Sequence, residues 1–415
     1  MNVLERFESV AQSYLRSAPV AFDRARGAEI FDENGNRYID FQGGRGASVF
    51  GHNDPKLCAA LVDYIRNGRI IQTRDRISVA KRLFVEKFVS TILEPRGYDY
   101  KILFTDPSAG GNAEIALRIA RRNKKRAKIL SFTNCFHGLT EGALAVIHKL
   151  PSRNEYLDLK TGVVHMPYCG YLGEGTDTLD YVKTYLKDLA GSQELPAAAI
   201  VEPVQVEGGM HIAAHVWLQG LEKLCREHGI LFIVDETQTG FGRTGPYFAF
   251  EAAGLKPDII LMPNSIAGGL PLSMLLMRPE LDQWRPGEEV GIHQGNNLAF
   301  IAAAELLSYW SDGTLESTVA RNSSVLSEAL GDIQERFPDK PVRIRGQGML
   351  WGIDFGQPAA APVVSSWAFE RGLIAEPAWI RNDVLLITPP LTVKEEVLQT
   401  GLALLTEAAA AFLNH

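Results

Sequence analysis

The stretch IVDETQTGFGRTG, residues 233–245, runs from apolar residues straight into a carboxylate and then into polar residues and glycines. With the residues before it, ILFIV (230–234) reads as a strand buried on both faces, and Asp235 stands at its end. A carboxylate there is costly unless something pairs with it. By residue type alone, Asp235 either caps a following helix or holds a partner. Working outward, further short apolar runs predict strands at 101–105 (KILFT), 128–132 (KILSF), 198–201 (AAIV), 258–262 (DIILM) and 273–277 (SMLLM). Amphipathic stretches lie between them. Residues 111–123 place Ile115, Ala116 and Ile119 on one face and Arg118 and Arg122 on the other, and 216–228 ends at Gly229, a helix stop. Continuous apolar strands joined by helices predict a mostly parallel sheet covered on both faces, with ligands at the carboxyl ends of the strands.

After about residue 311 the pattern changes to helix (315–336), strand (350–355), helix (363–371), strand (384–388) and a terminal helix (393–413). A chain of 415 residues is too long for one core. The expected division is a large domain over 51–310, a small α+β domain over 311–415, and a segment 1–50 packing with the small one. Hydrophobic residues make up 46% and charged residues 22%, a globular balance. The net charge of −7 argues against a nucleic-acid partner, which needs a basic face. The one dense basic run, RRNKKR (121–126), falls where a helix should end and suits a solvated terminus. No apolar run reaches the roughly 18 residues of a membrane span. The start, MNVLERFESVAQSYL, reads as a charged amphipathic helix, not a signal peptide. Cys58, Cys135, Cys169 and Cys225 fit neither a zinc site nor a disulfide framework. A cytoplasmic location, no membrane partner and no metal are expected. There is no Gly-x-Gly-x-x-Gly after an early strand, no P-loop and no Gly-x-Ser-x-Gly elbow.

Several segments carry a resemblance. They are IVDETQTGFGRTG; Phe136-His137-Gly138 after the strand KILSF; Glu202 in VEPVQVEGG; GNNLAF (295–300); RGQGMLWGIDF (345–355); and LLITPPLT (385–392). In this order the chain resembles the class III, fold-type-I aminotransferases that use pyridoxal phosphate. RYIDF, GHNDP, SFTNCFHG, MPYCGY with DTLDY, and RPELDQW with PGE are similar to the diaminobutyrate transaminases of ectoine and siderophore biosynthesis. The resemblance implies an α/β large domain with a mostly parallel, seven-stranded-type sheet beside a small α+β domain. It also implies a homodimer with active sites at the subunit interface. Asp235 would pair with the protonated pyridine nitrogen and make the ring an electron sink. Phe136 would stack on the ring, His137 and Gln238 would face it, and Glu202 would be the acidic strand end of the same site. Ser108, Ala109 and Gly110 would form the phosphate loop at a helix N-terminus.

The sequence also departs from that pattern. In PDIILMPNSIAGGLPLS (257–273), Asn264 stands where the resemblance places the lysine that forms a Schiff base and then moves a proton. An amide does neither. The phosphate loop reads Asp106-Pro107-Ser108-Ala109-Gly110-Gly111, so an anion lies near the phosphate. Two unit charges ~6 Å apart at an effective dielectric of ~20 repel by ~3 kcal/mol before solvent reduces it. Ile292 takes the place of a phosphate-binding threonine from across the dimer. Arg45, in QGGRGAS, replaces a small residue and is either a surface residue or a pocket residue that binds a substrate carboxylate. These departures predict a chain unable to transaminate, with no covalent cofactor and pyridoxal phosphate bound weakly if at all. The expected activity is that of a repurposed, pyridoxal-phosphate-independent enzyme on a small amino-acid-like substrate, with Asp235, Glu202 and His137 doing acid–base work. The alternatives are a non-catalytic scaffold partner of an active transaminase, or a diaminobutyrate-type aminotransferase that uses pyridoxal or pyridoxamine phosphate without the lysine bond.

Overall fold

Six short apolar strands run the same way through the centre of the molecule. The structure is a computed structural model and describes residues 3–9, 11, 20–73, 76–148, 162–190, 194–289, 291 and 293–414. Among these, Phe22–Arg26 (β1), Glu29–Asp32 (β2) and Arg37–Asp40 (β3) form an antiparallel set. Next come Lys101–Thr105 (β4), Ile129–Phe132 (β5), Val163–Met166 (β6), Ala198–Val201 (β7), the short pair Val204–Gln205 (β8) and His211–Ile212 (β9), Leu231–Asp235 (β10), Ile259–Leu261 (β11) and Ser273–Met277 (β12). The last set is Arg343–Gln347 (β13), Leu350–Asp354 (β14), Leu373–Ile374 (β15), Glu376–Pro377 (β16) and Val384–Ile387 (β17).

The central sheet has the order β4-β12-β11-β10-β7-β5-β6. β12 is antiparallel to both neighbours, so β4 returns parallel to β11 and the remaining strands share one direction. Side chains alternate across it as strand geometry requires. Ile200, Leu231, Ile233, Ile259 and Leu261 face the helix Ala109–Lys124, which answers with Ala113, Ala116, Leu117 and Ala120 at helical spacing. Val201, Phe232, Val234 and Ile260 face the other way, into the layer holding Trp217 and Leu221 of the helix His215–Glu227. Burial on both faces is why these strands read as unbroken apolar runs.

β13-β14-β17-β16 make a second, antiparallel sheet near the C-terminus. β3 pairs parallel to β15, so the first strands of the chain lie beside residues 373–374. The helices Thr314–Arg336, Ala360–Glu370 and Glu395–Leu413 pack around this region. Glu395–Leu413 passes a membrane-span test of length and mean composition, but Glu395, Glu396 and Glu407 keep it from being an unbroken apolar run. Its apolar face, with Leu398, Leu402 and Leu405, is buried in the protein core instead. At Gly401 on that helix, a Cβ would come within 2.3 Å of the Phe41 ring, so the helix lies directly on the residue that follows β3. Of the predicted N-terminal helix, Val3–Phe7 is helical, and positions 10 and 12–15 lie outside the described residues.

Candidate functional site

Because the strands run parallel, the loops after β4, β5, β7, β10 and β11 leave from one edge. Asp235 ends β10 and is 2% exposed. Its Oδ2 lies 2.7 Å from Nδ1 of His137, from the loop after β5. Its Oδ1 accepts from the Thr237 backbone N–H (3.0 Å) and hydroxyl (2.7 Å). The helix-cap reading of Asp235 therefore gives way to a side-chain partner. His137 is 1% exposed. Burial works against its charge, but the hydrogen bond to Asp235, with Cys135 and Glu202 nearby, outweighs that and holds its basicity well above the usual value. Glu202, after β7, accepts from the Phe136 N–H (3.1 Å). Burial raises its carboxyl well above the ordinary range, even against the attraction of His137. The floor of the site is thus a hydrogen-bonded Asp235–His137 pair beside Glu202, whose burial disfavours its charged form.

Phe136 packs on Leu144 and Ile147, and its ring centroid lies 5.2 Å from that of Trp379, between β16 and β17. Gln238 donates from Nε2 to Glu207 Oε1 (3.3 Å), while its Oε1 is buried without a partner. Glu207, 4% exposed, also accepts from the Trp379 N–H (2.7 Å). Thr237, Gln238, Glu207, Ser265, Gln42 and Arg45 border one cavity of about 40 Å³. Both readings of Arg45 hold in part: its side chain is half-exposed, and it also borders this cavity. The residue has a left-handed φ of 55°. Its Nη1 lies 3.6 Å from Glu207 Oε1 and its Nη2 3.1 Å from Glu376 Oε2.

Pro263 and the short turn Asn264–Ala267 follow β11, which places the Asn264 backbone at the same edge, next to Ser265. The Asn264 side chain lies outside the described residues. At the other end, Ser108 N-caps the helix Ala109–Lys124, its Oγ accepting from the Gly111 N–H at 3.0 Å. A Cβ on Gly110 would meet Thr140 at 3.0 Å, so a larger residue would be crowded there. Asp106 is exposed, and its Oδ1 lies 2.9 Å from where a Gly291 Cβ would be. The Ala109 side chain and Ile292 lie outside the described residues. No group of three His, Cys, Asp or Glu suited to a metal occurs among the described residues.

The structure brings Asp235, His137, Glu202, Phe136, Gln238 and Arg45 to one region of the sheet edge. It also brings in Glu207, Gln42, Glu376 and Trp379, which sequence reasoning missed. Glu207 was visible in VEPVQVEGG; nothing in the local sequence marks the other three. The donor set at this end suits a pyridoxal ring. Asp235 supplies an anion for a protonated ring nitrogen, and Gln238 has an amide end still to satisfy. At the other end, backbone N–H groups of a 16-residue helix point to where an anion would bind.

The family profile "Aminotransferase class-III" matches residues 10–409. A diaminobutyrate–2-oxoglutarate transaminase of Wolinella succinogenes is 45% identical over 100% of this chain and 97% of its own length. One of Halalkalibacterium halodurans is 44% identical over 100% and 97%. Among solved structures, an ornithine aminotransferase of Toxoplasma gondii, described with partial occupancy of pyridoxal phosphate at its active site, superposes with a TM-score of 0.84 at 27% identity, covering 97% of this chain and 92% of that one. The N-acetylornithine aminotransferase of Stenotrophomonas maltophilia gives 0.77 at 24%, over 98% and 100%, and supports the fold alone. These matches overturn the expectation of no cofactor, or of pyridoxal phosphate bound weakly if at all, because class III aminotransferases depend on it. With it falls the reading of a pyridoxal-phosphate-independent enzyme. That expectation rested on the phosphate end and on Asn264, whereas the ring end keeps its anion, its histidine and its amide.

Proposed function

The chain belongs to the class III aminotransferase family, and from that premise we propose that it binds pyridoxal phosphate in the pocket floored by Asp235, His137 and Gln238 and handles an amino-acid-like substrate there. The observation that carries this reading is the Asp235–His137 contact of 2.7 Å, buried at the end of the central strand. His137 holds Asp235 in place through that contact, and Asp235 would pair with the ring nitrogen. Gln238 would accept from the ring's hydroxyl through its free Oε1. Ser108, Ala109 and Gly110, at the N-terminus of Ala109–Lys124, would hold the phosphate. When bound, the cofactor supplies an electron sink for charge developing at an amino acid's α-carbon. Asn264 at the lysine position adds no base of its own. The apolar residues Ile70, Ile71, Ile77, Val79 and Leu83, all exposed, fit a homodimer interface. Four free cysteines fit a reducing, cytoplasmic compartment.

Titration with pyridoxal phosphate, followed by absorbance and by quenching of tryptophan fluorescence, tests the reading. Saturable one-to-one binding that Asp235→Ala removes is expected; absence of saturable binding by the wild type would overturn it. Asn264 favours one second reading, a cofactor-binding protein that partners an active transaminase without turning over itself. Loaded protein that converts neither 2,4-diaminobutyrate nor glutamate with a 2-oxo acid would support that; turnover above the protein-free rate would exclude it.

A further inference from the structure

The cavity beside Gln238 is bordered by Arg45, and Arg45 in turn lies between two carboxylates. Glu207 comes from the turn between β8 and β9, and Glu376 from β16, so two carboxylates from distant parts of the chain converge on one point. Glu207 is 4% exposed, and burial raises the Glu376 carboxyl despite the pull of Arg45. Gln42 donates to Glu376 (3.1 Å) and Gln238 to Glu207 (3.3 Å). Between the two carboxylates sits the Arg45 guanidinium, 3.6 Å from one and 3.1 Å from the other, with its Cζ 6.0 Å from the centre of the Trp379 ring. The cavity is also lined by Arg243, 3% exposed, whose Nη2 has no partner, and by the unpartnered Oε1 of Gln238. Val206, Leu350 and Leu386 supply an apolar part of its wall, and the volume left beside Arg45, about 40 Å³, has room for water but not for an alkylammonium chain.

We propose that Arg45 is a tethered cation that fills the position between Glu207 and Glu376 and so determines specificity: amino acids carrying a second, distal ammonium are excluded, and those with a neutral or anionic far end are accepted. This rests on the pocket being the substrate site proposed above, but not on the cofactor. A tethered group competes at a high effective concentration, so a free ammonium does not displace it at ordinary ligand levels. The backbone keeps the residue in place. Gly43, Gly44 and Gly46 around it all have positive φ, and Arg45 itself takes 55°, a conformation that costs a non-glycine residue energy and persists only where the surroundings hold it. A glycine at position 45 fits that backbone without strain, so removing the side chain leaves the loop able to fold.

The test is calorimetric titration of the protein as purified, with no cofactor added, using 2,4-diaminobutyrate and, as the match lacking a distal ammonium, 2-aminobutyrate. The wild type should bind 2-aminobutyrate at least about tenfold more tightly than 2,4-diaminobutyrate. Arg45→Gly should prefer the diamino acid by about tenfold or more, a difference of about 1.4 kcal/mol. Arg45→Gly combined with Glu376→Gln should lose the preference, and Arg45→Lys, which keeps the cation, should behave as wild type. A wild type that binds the diamino acid as tightly as 2-aminobutyrate, or a folded Arg45→Gly (checked by its unfolding midpoint) with no preference for the diamino acid, would overturn the proposal. Failure of pyridoxal phosphate to bind would count against the function proposed above and leave this titration readable.

Discussion

The Asp235 end and the Ser108 end of the sheet edge, the ring end and the phosphate end of the proposed cofactor site, are built to different standards. At the ring end, Asp235 and His137 are almost wholly buried and satisfy each other, with Thr237 closing the second carboxylate oxygen. At the phosphate end, Ser108 is exposed and spends its oxygen capping its own helix, and Asp106 faces solvent. The difference follows from dielectric. A buried carboxylate left without its partner carries the full cost of desolvation, so the pair is held as a unit. An exposed aspartate is screened by water and salt, so a charge of unfavourable sign is tolerated there. The ring end is therefore set by the fold before any ligand arrives, while the phosphate end is left to the helix terminus and the solvent.

That contrast can be broken or sharpened by substitution. Asp235→Ala should have the largest effect, because it strands the His137 charge. A loss of about 3–5 kcal/mol in denaturant unfolding is expected, with pyridoxal phosphate affinity falling at least about a hundredfold. A variant within ~1 kcal/mol of wild type would mean the ring end is not built around the pair. Next in size is Glu236, the buried neighbour of Asp235, which accepts from Thr239 (2.6 Å) and from the Phe250 N–H (2.9 Å). Burial pushes its carboxyl up to about 7 from 4.5. Below 4.5 both folded and unfolded forms are protonated and its contribution is intact. From 4.5 to about 7 the unfolded chain ionises while the folded one does not, so stability is lost as pH rises, by about 3 kcal/mol. Urea midpoints at the two ends of that window should diverge less in Glu236→Gln than in wild type; equal slopes would place the group outside the buried end.

The phosphate end should respond more weakly. Ser108→Ala removes the helix cap and should cost about 1 kcal/mol in thermal or urea unfolding. Asp106→Asn should be smallest, tightening pyridoxal phosphate by about two- to fivefold at low salt, with the gain shrinking as salt is added. A salt-independent gain would show that Asp106 sits closer to the phosphate, and drier, than its exposure indicates.

Much of this was legible in the sequence. β4, β7 and β12 coincide with predicted strands, and β5, β10 and β11 lie within a residue of the predicted runs, because strands buried on both faces leave unbroken apolar stretches. β6 was not foreseen, since VVHM is four residues with a histidine inside. The antiparallel turn of β12 was also hidden: an apolar run carries no sign of its direction.

The sequence by itself determined the class III family, and it set Asp235, His137, Glu202 and Gln238 shortly after buried strands. A polar group directly after a buried strand has few places to be except the sheet's carboxyl edge. Only the tertiary structure decided what those residues meet. Trp379 and Glu376 come from the region around the second sheet, and Gln42 from the end of β3. Their arrival beside Gln238 depends on how the two sheets pack, which no local pattern encodes. The same holds for Arg45. Its flanking glycines marked an unusual loop, but its role turns on Glu207 and Glu376, and a salt bridge between distant segments exists only once the chain has brought them within reach.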